Sequence, residues 1–385
     1  TSGEIVIDGD VTVSSATTFT SGPQHLTVTD TFTLPSGDIN SRELKPTPGS
    51  FRFNQDFATL EFYTGNNWAT VNTFTEIQNS PGNRGRVLNF GGKDTGGNRV
   101  RDISFLQIMT FGNTESFGDL TDDRRQIGAC SSEIRALTMG GSGPGGDVNE
   151  IAYHTIASEG NSIDFGNLQG AKQTCTALSS STRGITYGSG GSPYNQIDYV
   201  EIATLGDSID FGDTAVASRI APPACSPVRG FKTGGTDDSI NRSEKEFITI
   251  ASKGNGTVFG DAQVSGPGGG GASNSVRAVK MGGYDYVSPY PRYGDIEYFN
   301  MISLGESLDF GNMTGESVVA GGFGNAANQV RAVFTGGYRV GSTVTNAIDF
   351  LTFATTGNAQ DFGDLASPTA QVANASDSHG GLGGF

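Results

Sequence analysis

Ser158-Glu159-Gly160-Asn161-Ser162-Ile163-Asp164-Phe165-Gly166 is one of six copies of a single phrase: Ser or Thr, any residue, Gly, then Asn, Asp or Glu, three variable residues and Phe-Gly. The copies start at Thr110, Ser158, Thr204, Ser252, Ser303 and Thr355, so successive ones lie 48, 46, 48, 51 and 52 residues apart. A period near fifty is the mark of propellers and solenoids, in which each supersecondary unit hides its apolar face only against its neighbours.

A second anchor lies upstream in each unit. Arg, a short apolar run and a Gly pair occur at Arg86 to Gly92, Arg135 to Gly141, Arg229 to Gly235, Arg277 to Gly283 and Arg331 to Gly337, while the copy from Arg183 ends in Gly188-Ser189. Between the anchors runs a segment such as Ile197, Tyr199, Val200, Ile202, short and rich in β-branched and aromatic residues, which predicts a strand. Gly-Asn or Gly-Asp after it predicts a tight hairpin into a third strand ending at Phe-Gly. From each Phe to the next Arg there are 18 residues in four intervals and 21 in the last full one, room for an outer strand and a crossing. The expected fold class is all-β: a six-bladed β-propeller over 74–385, of kelch-like architecture, preceded by a small β-rich segment over 1–73. An open β-solenoid is the alternative. After Leu365 the spacing is repeated as far as Gly380, so the tail is expected either to lend a closing strand to the first blade or to pack beside the last.

Composition agrees with a β fold. Gly supplies 58 of 385 residues, and there is neither a heptad pattern nor an apolar run approaching twenty residues, so little helix and no membrane insertion are expected. The amino terminus has no basic region followed by an apolar stretch, and the chain begins at Thr1, so either a Met was removed or the chain starts inside a longer one. A net charge of −16 without Lys or Arg clusters excludes nucleic acid as an expected partner. Cys130, Cys175 and Cys225 are few, odd in number and far apart, which predicts buried free thiols and synthesis in a reducing cytoplasm.

Before the repeats, Glu4 to Asp8, Val11 to Val13 and Leu26 to Val28 alternate like half-buried strands, in a segment too thin for a generous core unless it associates with copies of itself. Pro48-Gly49-Ser50-Phe51-Arg52-Phe53-Asn54 and Leu60 to Trp68 predict a hairpin or meander, with Trp68, the one Trp, as its core anchor.

Residues 48–71 resemble a short module common in bacteriophage tail-fibre and virion appendage proteins, where Pro-Gly, Arg-Phe-Asn and a terminal Gly-x-x-Trp recur. The repeats, with phrases such as Ile197 to Thr204 and Gly357 to Leu365, resemble those of structural proteins of marine phages, especially phages of cyanobacteria. The resemblance implies a virion structural protein made in the host cytoplasm, a tail fibre or another surface appendage. It also implies attachment to other virion proteins through the amino-terminal segment and assembly as a homotrimer. Kelch repeats share the Gly pair, but they normally carry a downstream Tyr and Trp, and the repeat region has no Trp.

No chemistry of catalysis stands out. His25, His154 and His379 accompany no nucleophile motif, no spacing selects a carboxylate pair from 40 acidic residues, and neither metal nor cofactor is expected. Asp-Phe-Gly-Asp/Asn is read as a turn whose side chains bond backbone amides, in preference to a calcium site. Length varies most in the loops after the Gly pairs, and loops on a rigid scaffold carry binding. Those loops hold Tyr194, Tyr284, Tyr286, Tyr290, Tyr293 and Tyr338, with Arg292 and Arg339 beside them. Tyr would stack on sugar rings or anchor a protein partner, and Arg would bond anionic or hydroxyl groups of a host-surface glycan or protein. Equally, the Pro-rich loop with Pro289 and Pro291 packs its own tyrosines down. Two other functions fit the sequence: a virion decoration or filament subunit that binds no receptor, and a secreted carbohydrate-binding propeller or glycan-active enzyme.

Overall fold

The computed structural model describes residues 34–56, 59–70, 85–188, 194–286, 291–314, 321–339 and 343–383. The chain divides into two compact units, Thr1–Glu76 and Ile77–Phe385. Among the described residues the helical content is limited to short 3-10 turns, and everything else regular is strand.

In the first unit, Phe51–Asn54, Thr59–Tyr63 and Trp68–Thr70 form an antiparallel meander, with Ser36–Gly37 added in parallel. Its alternation is inverted. Arg52 and Asn54 point to the buried side, where Glu61 is fully buried and accepts from Arg42 Nε at 3.1 Å and Asn54 Nδ2 at 2.9 Å. The hydrogen bond from Arg42 holds the Glu61 carboxyl below its ordinary value against the opposing effect of burial. Phe51 and Phe53 face outward, 51% and 37% exposed. Trp68 corrects the expectation of a core anchor: it is only half-buried, 5.6 Å from the Tyr63 ring, because the carboxylate and its partners occupy the centre.

Among its described residues the second unit shows a succession of six strand sets. Gly128–Ser131, Arg135–Met139, Gly146–Thr155 and Ile163–Lys172 pair in that order, each with the next, and so do the corresponding strands that begin at Thr176, Pro223 and Gly269. The first set takes its innermost strand from the chain end: Ala373–Ser376 pairs antiparallel with Arg86–Lys93, followed by Arg99–Gln107 and Glu115–Arg124. Of the two fates expected for the tail, this is the first. In the last set Arg331–Thr335, Ala347–Thr352 and Gln360–Asp364 pair, while Gly321–Asn325 lies parallel to Gly269–Ser273 and Ala373–Ser376. Between each Phe and the next Arg, therefore, lies an inner strand rather than the outer one expected. These strands pack on one another and are almost wholly buried, which is why small residues, chiefly Gly, Ala and Ser, predominate in them.

Phe-Gly also sits differently from expectation, within the fourth strand of each set, and a longer loop replaces the tight hairpin. The phrase is a clasp between sets. Gly160 N donates to Phe117 O at 2.9 Å, and Asn161 Oδ1 accepts from Asp119 N at 2.9 Å. The same bond is made five more times, with Asp207, Asn255, Glu306, Asn358 and Asn113 each accepting from the backbone N–H of the residue after the preceding Phe-Gly, at 2.8 to 3.0 Å. Asn, Asp and Glu are interchangeable there because each offers one carbonyl or carboxylate oxygen. Asn113 accepts from Asp364, so the last set clasps the first.

The upstream Arg makes a second clasp. Its guanidinium lies 4.4 to 5.1 Å over an aromatic ring of its own set, namely Phe105, Tyr153, Tyr199, Phe247, Tyr298 and Phe350 in turn. Its Nη1 donates to a carbonyl of the following set, as from Arg135 to Ile202 O at 2.8 Å and from Arg331 back to Ile108 O at 3.2 Å.

One seam departs from the rule. Opposite the Gly of Phe-Gly the third strand carries Ile103, Ile151, Ile197, Ile296 and Ile348, but Lys245 in the fourth set. Lys245 is fully buried, donates to Gly305 O at 2.6 Å and lies 4.7 Å from the Phe299 ring centre. Burial lowers its pKa from 10.5 to about 8. The unfolded chain then binds the extra proton between about 8 and 10.5, so this group makes stability rise with pH across that window. Lys245→Ile is expected to melt higher than the parent at pH 7 and to lack that component of the rise, as read by thermal scans from pH 7 to 10.5. A lower melting temperature at pH 7 would show that the ammonium's bonds outweigh its desolvation.

Beyond its inner strand the tail continues into the centre. Asp377 accepts from Gly85 N at 2.6 Å, and His379 is buried with Nε2 3.1 Å from Ser131 O and Nδ1 3.3 Å from Cys225 Sγ. All three cysteines are buried free thiols. Burial pushes Cys175 up to about 12, whereas His379 pulls Cys225 below its usual value in spite of burial.

Candidate functional site

Because neighbouring strands alternate direction, the loops after the Gly pairs emerge at the end of each set opposite the Arg clasps. Four of them bring the tyrosines together. Tyr194, held at φ 50°, donates its phenol to Asp238 Oδ2 at 2.6 Å. Asp238, itself at φ 70°, also accepts from Arg219 Nε at 2.8 Å, and the Arg219 guanidinium lies 5.8 Å from the Tyr194 ring centre. Burial would raise the Asp238 carboxyl, but hydrogen bonds from Arg219, Tyr194 and Tyr286 hold it below its ordinary value.

The loop of the fifth set is tied to the fourth: Tyr286 N donates to Asn241 Oδ1 at 2.9 Å, and Asn241 Nδ2 to Asp285 Oδ1. Tyr284 and Arg292 are directly opposed across their strands, as are Gly283 and Tyr293. Burial raises the Tyr284 phenol to about 12; the Tyr293 phenol is raised too, by burial and by Asp285. Across to the sixth set, the Arg292 guanidinium lies 5.3 Å from the Tyr338 ring centre, and in that set Arg339 donates to Thr314 O at 2.6 Å, 3.9 Å from Asp349.

Seven of the eight residues singled out in the sequence are thus described; Tyr290 lies outside the described residues. Tyr194, Tyr284, Tyr286 and Tyr293 form one group, Arg292 reaches Tyr338 beside it, and Arg339 turns to Asp349 instead. Arg219, Asp238, Asn241 and Asp285 were not anticipated. Thr236-Asp237-Asp238-Ser239, directly after a Gly pair in one of the variable loops, was the available signal for Asp238. Arg219 had none, since it lies before an inner strand and reaches the group only through the fold. Among the described residues no three His, Cys, Asp or Glu are placed to hold a metal ion.

No family model matches the chain, and no curated protein matches it in sequence. Of solved structures, that of YjhT aligns with a TM-score of 0.54 at 10% identity, over 71% of this chain and 96% of that one. The all-β fold is β-propeller-like. At that identity the likeness concerns the fold alone.

Proposed function

We propose that the chain is a non-enzymatic phage virion appendage protein whose second unit is a six-bladed propeller that displays the tyrosine loops to the host surface. Six strand sets, two clasps repeated in each, and both clasps returning from the last set to the first support the blade number. The observation that carries the contact role is the gathering of Tyr194, Tyr284, Tyr286, Tyr293 and Arg219 from three sets at the end opposite the Arg clasps. Aromatic faces with polar tips on a rigid frame are suited to such contact. The virion assignment rests on the resemblance of residues 48–71 and of the repeats. The outward Phe51 and Phe53 support self-association through the first unit, and the number three rests on the same resemblance.

Immunogold electron microscopy of the producing culture tests the reading. Gold on tails or fibre tips is expected, together with at least tenfold slower adsorption by particles carrying Tyr286→Ala and Tyr293→Ala. Gold over capsids with unchanged adsorption would instead identify a decoration protein, for which the bonding of the tyrosines to Asp238 and Asp285 already offers a purely structural role.

A further inference from the structure

We infer that the tyrosine face takes a neutral, hydroxyl-rich saccharide and rejects anionic ones; this rests on the contact role proposed above. Its arginines are already committed. Arg219 is held by both oxygen-directed bonds to Asp238, Arg242 lies 2.6 Å from Asp237 and 3.6 Å from Glu244, and Arg339 lies 3.9 Å from Asp349. The Arg292 guanidinium faces the Tyr338 ring, 5.3 Å from its centre.

At Arg219 and Arg242 an incoming carboxylate or sulfate would therefore have to displace a carboxylate already in place, and over the whole face it would meet Asp237, Asp238 and Asp285 at close range in a chain of net charge −16. A sugar hydroxyl faces no such competition. It both donates and accepts, and the group offers the same mixture: phenol oxygens with remaining lone pairs, the carboxylate of Asp238, and guanidinium N–H groups fixed in place by that carboxylate. Fixing them in advance removes the cost of ordering them on binding. The ring faces of the tyrosines supply the apolar contact that the C–H side of a sugar requires.

The test is an array of neutral and acidic (uronate, sialylated and sulfated) oligosaccharides probed with the full chain and with Tyr286→Ala and Asp238→Asn, each variant first checked for an unchanged melting temperature. If a variant fails to fold, Tyr293→Ala replaces it. Retention of neutral members only is expected, at least tenfold weaker in the variants and constant from about 0.05 to about 0.5 M salt, across which the Debye length shrinks from roughly 14 to 4 Å. Retention of acidic members alone, or binding lost with added salt, would overturn the inference and leave the contact role standing. Retention of none, with adsorption unaffected by the same substitutions, would remove the contact role and the inference together.

Discussion

Deleting residues 373–385 is expected to lower the melting temperature by about 10 to 20 °C, because it strips the innermost strand from the first set. Ala373–Ser376 is the antiparallel partner of Val87 to Phe90, and it places buried Ala373 and Ala375 in the cluster with Leu88, Phe90 and Ile127. With it go the Asn374 bonds to Asn89 at 2.7 Å and Thr335 at 2.9 Å, the Ser376 bond to Ala327 O at 2.7 Å, and the Asp377 and His379 ties. At about 1 kcal/mol net for each buried hydrogen bond, the loss is about 5 kcal/mol before the exposed apolar surface is added. For a large domain about 1 kcal/mol corresponds to about 2 to 4 °C. A shorter deletion from residue 380 keeps the strand and should cost less than half as much. Equal melting of the parent and the longer deletion, followed by circular dichroism, would mean that the chain end does not complete the first set.

Gly118→Ala is expected to cost about 3 kcal/mol or more, although it adds a single methyl group. A Cβ on Gly118 would stand 2.3 Å from Gly160 O, the backbone of the next set's phrase, and one on Gly363 would stand 2.3 Å from Gly112 O. Nothing flexible is there to yield; relief requires the two sets to separate, which breaks the Asn161 and Asn113 clasps as well. Gly145→Ala is the matched control, since a Cβ there meets nothing within 4 Å. Gly260→Ala should fall between them, because its nearest backbone atom is Gly305 O at 3.1 Å, at the seam that Lys245 occupies. Urea unfolding of the four proteins reads the order directly. Equal midpoints for Gly118→Ala and Gly145→Ala would refute the clasp.

The Phe-Gly phrase shows how much of this was legible beforehand. Its period, the strands between the anchors and the number of units follow from spacing and from residue type, both of which are local properties. Its purpose does not, since Asn161 and Asp119 are 42 residues apart and meet only when one set is laid beside the next. The same limit placed the strand between Phe and Arg on the outside: the length of the interval shows that a strand fits there but not where it lies, and at the centre small side chains predominate where neighbouring strands converge. Trp68 was over-read for a related reason, because a carboxylate paired with Arg42 and Arg52 can take the buried position that apolarity alone assigns to an indole.

For the contact face, the sequence by itself determined which loops vary in length and that six tyrosines and two arginines lie in them, since both are countable along the chain. Only the tertiary structure decided which of those residues meet. It drew in Arg219, Asp238 and Asn241, and it turned Arg339 away toward Asp349, because the charges on a face are paired by distances between sets that no spacing along the chain encodes.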